Sequence, residues 1–131
     1  MLKQLLAALM LCTATSPWQQ YPVSGRPVTS QSFTLEKGSW DCSVSATANA
    51  NGATIQALQV SLGTIKDILA EFPARATTGP SGGISYSMTT QTAPIRVEVA
   101  AQTTYYINAA VYFTGGTMSV RTYYHCLGAI Q

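Results

Sequence analysis

From Trp40 onward, apolar and polar residues alternate with a period of two along most of the chain. Trp40, Cys42, Val44, Ala46 and Ala48 fall on one face, and Asp41, Ser43, Ser45, Thr47 and Asn49 on the other, the pattern of a half-buried strand. Asn51-Gly52 follows, a strong short signal for a hairpin turn. The return strand over 53–62 begins with Ile55 and Ala57 in phase, then switches to Leu58, Val60 and Leu62. Such a switch predicts a bulge near Ala57. Phe33–Leu35 reads as a short strand closed by Lys37-Gly38. Ile84, Tyr86 and Met88 alternate with serines, and Ile95, Val97 and Val99 with Arg96 and Glu98. Thr103–Thr114 is apolar on both faces, which puts one face in the core and leaves the other against protein or weakly solvated. Gly115-Gly116 makes a second hairpin, and Thr117–Ile130 is the last strand, with Met118, Val120, Tyr124 and Cys126 inward. The expected fold is all-β: a Greek-key β-sandwich or jelly roll of about seven strands.

Elsewhere the period changes. Ile65, Ile68, Leu69 and Phe72 are spaced as on a helix, Thr64 with Asp67 resembles a capping box, and Pro73 ends the run. This predicts one or two helical turns. Residues 77–83 read as a flexible loop. At the start, Leu2, Leu5, Leu6 and Leu9, followed by Cys12 or Thr13, are also at helical spacing, which predicts a short helical arm over 1–14. Three turns are unstable alone in water, so such an arm docks on its own domain, on sister chains or on another protein. The same residues imitate a secretory signal, through Lys3, the run from Leu5 to Cys12, and Cys12-Thr13-Ala14. The run is too short to span a bilayer. We expect the segment to be retained as an anchoring arm. Residues 15–31 contain Pro17, Pro22, Gly25 and Pro27 and read as an extended Pro-rich linker. The sandwich then occupies 32–131, and a chain beginning at Ser30 is expected to stay folded.

Hydrophobic residues make up 47% of the 131, enough for a real core, while charged residues make up 9%, against about 25% in a typical soluble domain. Seventeen Thr, twelve Ser and seven Tyr replace them, giving a surface of hydroxyls. With a net charge of +2 there is no basic track for a phosphate backbone. Weak self-repulsion suits a surface that meets other protein.

Little in the chain carries chemistry. His125 stands beside Tyr123, Tyr124 and Arg121 without a catalytic partner, Asp41 is expected to face solvent or accept a hydrogen bond from a turn, and Arg96 and Glu98 share a strand face. Gly79–Gly83 lacks the Lys-Ser/Thr of a phosphate loop, and no metal-ligand spacing is present. No enzymatic activity and no cofactor are expected. Cys42 and Cys126 read as small buried hydrophobes, and a bridge between them requires an oxidising compartment. The tyrosines could line a sugar platform or an interface. Interface is favoured, with Tyr106, Tyr112, Tyr123 and Tyr124 joining Leu2, Leu5, Leu6 and Leu9 as contact residues.

The stretch from Pro94 through Ile95-Arg96-Val97-Glu98-Val99 and Thr103-Thr104-Tyr105-Tyr106-Ile107 to Gly115-Gly116-Thr117-Met118-Ser119-Val120 resembles a pattern in small tailed-bacteriophage virion proteins. There, "PIRVSLA" precedes "TTTYYLVAQATFTAGTMTAYG". Gly38-Ser39-Trp40-Asp41 is similar to that group's "AGxWDV", so the resemblance runs from Leu35 to Arg121. The group's Arg-rich end is replaced here by Tyr123 to Gln131. The resemblance implies a non-enzymatic β-sandwich of the virion, assembled in the host cytoplasm. It would be trimeric, decorating a capsid or forming part of a short head fibre or tail appendage. The implied partners are sister subunits and other virion proteins of capsid, cement or tail, with a host-surface glycan as a further candidate. The alternative reading is a secreted carbohydrate-binding β-sandwich module with an N-terminal signal peptide.

Overall fold

Ten β-strands and no helix make up residues 9–71, 74–79 and 86–130, which are the residues described in the computed structural model. They are β1 (Leu9–Thr15), β2 (Gln19–Gln20), β3 (Val28–Leu35), β4 (Gly38–Asn51), β5 (Thr54–Gly63), β6 (Arg75–Thr78), β7 (Ser87–Gln91), β8 (Ile95–Val99), β9 (Thr103–Thr114) and β10 (Thr117–Ile130). β4 and β10 pair antiparallel along their whole length, from Asn51 opposite Thr117 to Gly38 opposite Ile130. Two short strands share each outer flank of this pair. β1 and β2 lie along β10, and β7 and β8 lie along β4. The second sheet runs β3-β9-β5-β6. With each broken pair counted as one strand, the orders are first–eighth–third–sixth and second–seventh–fourth–fifth, the wiring of a jelly roll.

The alternation read from the sequence is what fills the space between the sheets. Trp40, Cys42, Val44, Ala46 and Ala48 of β4 and Met118, Val120, Tyr124 and Cys126 of β10 are buried against Ile55, Leu58, Val60, Ile107 and Val111 of the other sheet. The expected bulge is present: the β5–β9 register shifts between Ile55 and Ala57. Both hairpins form, and Gly52, Gly115 and Gly116 take the positive φ that their turns require. The indole of Trp40 donates to the carbonyl of Glu36 at 3.0 Å and lies over Gly128. A Cβ on Gly128 would come within 2.7 Å of the indole.

Four expectations are corrected. The helical arm does not extend to residue 14. Leu9–Thr15 is strand β1, because it has the exposed backbone edge of β10 to pair with. Leu2, Leu5 and Leu6 lie outside the described residues. Residues 15–31, read as a linker, are built into the sandwich, with Thr15 ending β1 and Val28 opening β3. Tyr21 is 1% exposed and its hydroxyl donates to the carbonyl of Val28 at 3.2 Å. Ser16 is buried and its N–H donates to the carbonyl of Thr122 at 2.8 Å. Pro17 lies in the gap between β1 and β2, and Pro22 and Pro27 lie between β2 and β3, so the prolines fall between the paired segments. Thr64–Glu71 forms bends and a turn where helix was expected, because its backbone is held by tertiary partners. Cys42 and Cys126 form a disulfide, since the β4–β10 register sets them directly opposite one another.

Burial raises the Tyr21 hydroxyl well above its ordinary pKa, and the carboxylate of Asp67 adds to the effect. The folded state therefore holds the proton that an unfolded tyrosine releases near pH 10. That contribution is complete below about pH 10 and is lost as pH rises above it, at about 1.4 kcal/mol per unit while only the unfolded chain ionises. Thermal melts between pH 8 and 11.5, with Cys12 replaced by Ser to exclude thiol exchange, should show a steep alkaline fall. Tyr21→Phe should flatten it. Equal slopes in the two chains would refute the assignment.

Candidate interaction surface

Directly paired residues on neighbouring antiparallel strands project to the same side of a sheet. On the outer side of the larger sheet, β1 presents Leu9, Leu11, Thr13 and Thr15, and β10 presents Ala129, Leu127, His125 and Tyr123 opposite them. Leu9 is 76%, Leu11 57% and Leu127 47% exposed, and Tyr123 is also exposed. Together they make an apolar corner at the sheet edge. Trp18 extends it, with the Arg121 guanidinium 4.6 Å over its ring, a cation–π contact. Among the described residues β1 has no partner on its other backbone edge, and LMLCTAT carries no charge, proline or bulge. Natural edge strands normally use such devices to block further pairing.

Away from this corner the same face is polar. Ser43, Ser45 and Thr47 of β4 face outward, and the Thr47 and Thr89 hydroxyls hydrogen-bond at 3.1 Å. The Nε of Arg96 lies 3.0 Å from Asp41 Oδ1, and its Nη1 lies 3.8 Å from Glu98. Ser39 donates to Glu98. All of these are exposed, so they contribute little to stability. Asp41, Ser43, Pro94, His125 and Leu127 line a shallow groove of about 170 Å³. Its carboxylate is paired with Arg96, and among the described residues the His125 ring has no hydrogen-bond partner. A second hollow, of about 220 Å³, lies between Tyr21, Pro22, Phe113 and Met118 at the hairpin end.

The opposite sheet answers the question posed by two-faced β9. Asn108 is wholly buried on its outer side beneath the 64–70 segment. Its Nδ2 donates to the carbonyls of Ile65 and Ile68, both at 2.8 Å. Its Oδ1 accepts from Thr29 Oγ1 at 2.7 Å and from the N–H of Asp67 at 3.2 Å. Asp67 has a φ of 57° and accepts from the N–H of Thr29 at 2.7 Å. The chain's own loop thus covers this part of β9, where a sister subunit was expected. The result is a loop tied to the sheet by hydrogen bonds, with Ile65 and Ile68 exposed at its surface.

The sequence-derived contact residues do not form one patch. Leu9 and Tyr123 belong to the apolar corner. Tyr112 is exposed on the other sheet with its ring over Gly25, and Tyr106 is partly buried with Lys66 5.6 Å over its ring. Tyr124 is in the core, stacked on Phe33 at 3.9 Å between ring centroids, so it cannot serve as a contact residue. Leu11, Leu127 and Trp18 went unnoticed in the sequence. Leu127 carried a signal, being apolar on the polar phase of its strand. Among the described residues no helix is long and apolar enough to cross a membrane.

No protein-family model and no curated protein sequence matches the chain. Its fold is similar to that of a chain in the structure of infectious bursal disease virus, Gx strain. The TM-score is 0.53 at 12% identity, over 92% of this chain and 33% of that one. A chain of the VP2 subviral particle of infectious bursal disease virus aligns at a TM-score of 0.47 and 14% identity, over 91% of this chain and 33% of that one. The protein thus spans about a third of the length of these chains, and what it has in common with the first is the two-sheet β-sandwich.

Proposed function

We propose that the protein is a non-enzymatic structural component of a virus particle of bacteriophage type. It would decorate the capsid or form part of a short head fibre or tail appendage. The observation that carries this reading is the jelly roll that aligns over 92% of the chain with a chain of a virus structure. The uncharged edge of β1 and the apolar corner beside it support association with protein on that side. Residues 1–14 serve as the anchor, with Leu9 and Leu11 continuing the apolar run of Leu2, Leu5 and Leu6 into the sheet edge. Sister copies associate as a homotrimer through the same corner.

Two measurements test this. Mass spectrometry of purified particles should identify the chain, and its absence from intact particles would overturn the assignment. Sedimentation should give a multiple of the 13.9 kDa chain mass, and the double variant Leu11→Lys, Leu127→Glu, which sets opposite charges across the strand pair, should sediment as one chain. Both side chains are exposed, so stability should change by only about 0.5 kcal/mol per site. A wild-type chain that sediments as a monomer throughout the micromolar range counts against self-association.

One observation favours the second reading, a secreted carbohydrate-binding module: the disulfide suits an oxidising compartment. Virion surfaces retain disulfides too. Cleavage after Ala14 would remove nearly all of β1 and expose the flank of β10 that it covers. The exposed rings of Trp18, Tyr86, Tyr112 and Tyr123 are spread over both sheets and make no common platform for a sugar. N-terminal sequencing of the mature protein separates the two readings.

A further inference from the structure

The three cysteines of the chain form a single row across three adjacent strands. Cys12 of β1 is directly opposite Cys126 of β10, and Cys126 is directly opposite Cys42 of β4. All three side chains therefore project to the inner side of the sheet. Cys42 and Cys126 are bonded, and Cys12 is a free, partly buried thiol packed against the core. Cys126 occupies the middle position. The strand order therefore places the free thiol on one side of Cys126 and its bonded partner on the other, the order of attacking, central and leaving residues in a thiol–disulfide exchange.

Spacing permits either bond. The Cys42 and Cys126 Cα atoms are 4.1 Å apart, the separation of a non-hydrogen-bonded pair. The backbone groups of alternate β10 residues then point toward β1, as the Ser16 N–H to Thr122 carbonyl bond shows at 2.8 Å. Cys12 and Cys126 accordingly form a hydrogen-bonded pair, for which a Cα separation of about 5.5 Å is usual, within the range a disulfide spans.

We propose that Cys12 exchanges with the Cys42–Cys126 disulfide, giving a second native connectivity, Cys12–Cys126. The Cys12 thiolate attacks Sγ of Cys126, the Cys42–Cys126 bond breaks, and Cys42 leaves as a thiolate that takes up the proton released by Cys12. No oxidant is consumed. The exchange moves the covalent tie from the central strand pair to the edge strand. In one connectivity β1 is held by hydrogen bonds and packing alone and can detach; in the other it is fastened to β10. The N-terminal strand is therefore a covalently lockable element. This inference does not depend on what particle or partner the protein serves.

The test uses the full chain and its Cys12→Ser and Cys42→Ser variants. Each is equilibrated in a glutathione redox buffer, quenched and alkylated with a maleimide in denaturant at mildly acidic pH, where exchange is arrested and buried thiols are reached, and digested without reduction for mass spectrometry. The Cys42→Ser chain should contain a Cys12–Cys126 peptide in most molecules, oxidised glutathione being the electron acceptor. The wild-type chain should yield that peptide together with alkylated Cys42, and Cys12→Ser only Cys42–Cys126. Hydrogen exchange across Leu9–Thr15 should slow at least tenfold when Cys12–Cys126 forms. If Cys42→Ser gives the wild-type circular dichroism but both thiols remain alkylatable, the proposal fails. If Cys42→Ser does not fold, the wild-type measurement decides: absence of alkylated Cys42 after long equilibration overturns the exchange.

Discussion

A chain beginning at Ser30 is expected to lose its cooperative thermal transition. The proline-rich stretch suggests a tether that could be cut without harm, but the packing argues otherwise. Truncation removes β1 and β2 and so strips one whole flank of β10. It removes Tyr21, a fully buried side chain in the core. It also removes Ser16, whose hydroxyl accepts from the Thr122 N–H at 2.9 Å. Ser16 belongs to a polar seam in which the Thr122 hydroxyl bonds Ser30 at 2.7 Å and the Gln31 amide donates to the Thr122 carbonyl at 3.0 Å. That seam ties both sheets to the N-terminal third. Truncating a large buried aromatic alone costs about 3–5 kcal/mol, against a total of about 5–15 kcal/mol for a typical domain. Losing a flanking strand and the seam as well should exhaust the remainder. Far-UV circular dichroism during heating reads the result directly. A sigmoidal melt near the full-length midpoint would show that residues 9–29 are an appendage.

Asn108→Asp should be among the most damaging single substitutions. It changes one nitrogen to oxygen with almost no change in volume, so packing is preserved. The new oxygen, however, faces the carbonyls of Ile65 and Ile68, each of which accepted a hydrogen bond from the amide at 2.8 Å. Three acceptors then meet without a proton, beside the carboxylate of Asp67. An unsatisfied buried group costs about 1–3 kcal/mol and a charged one more, so about 3–5 kcal/mol is expected here. The midpoint should drop by about 10 °C or more, and the 64–70 segment should become protease-sensitive. Asn108→Ala should cost less than Asn108→Asp, since it adds no charge. An Asp variant as stable as the wild type would mean that the network does not hold the loop.

Sequence patterning made the central strands legible and the margins obscure, for a physical reason. β4, β5, β9 and β10 are long and face the core on one side, so period-two burial is written into them, down to the bulge between Ile55 and Ala57. β1, β2 and β6 are edge strands of two to seven residues. They exist because a partner supplies an edge, and edge pairing is carried by backbone groups common to every residue. Leucines at helical spacing could not reveal that β10 was waiting to pair with Leu9–Thr15. The 64–71 segment failed in the same way: its helical spacing is real, but the buried amide of Asn108 claims the carbonyls a helix would use. Of the candidate surface, Leu9 and Tyr123 were found from sequence. Leu11, Leu127 and Trp18 emerged only when pairing laid β1 beside β10. The disulfide too follows from register, which composition does not encode.

The pairing of β1 with β10 also shapes how the chain must be made. Cys12 and Cys126 are neighbours in the sheet but more than a hundred residues apart in sequence. Synthesis at ~5–20 residues per second leaves the apolar strand LMLCTAT without its partner for ~5–20 s. The strand that completes the larger sheet is central within it and is the last of the described strands to be synthesised. Folding dominated by such distant pairings is slow, and the nascent N-terminal strand is most open to another chain's edge during that interval. Crowded synthesis should therefore favour copies that exchange β1 between neighbours before each closes its own sheet.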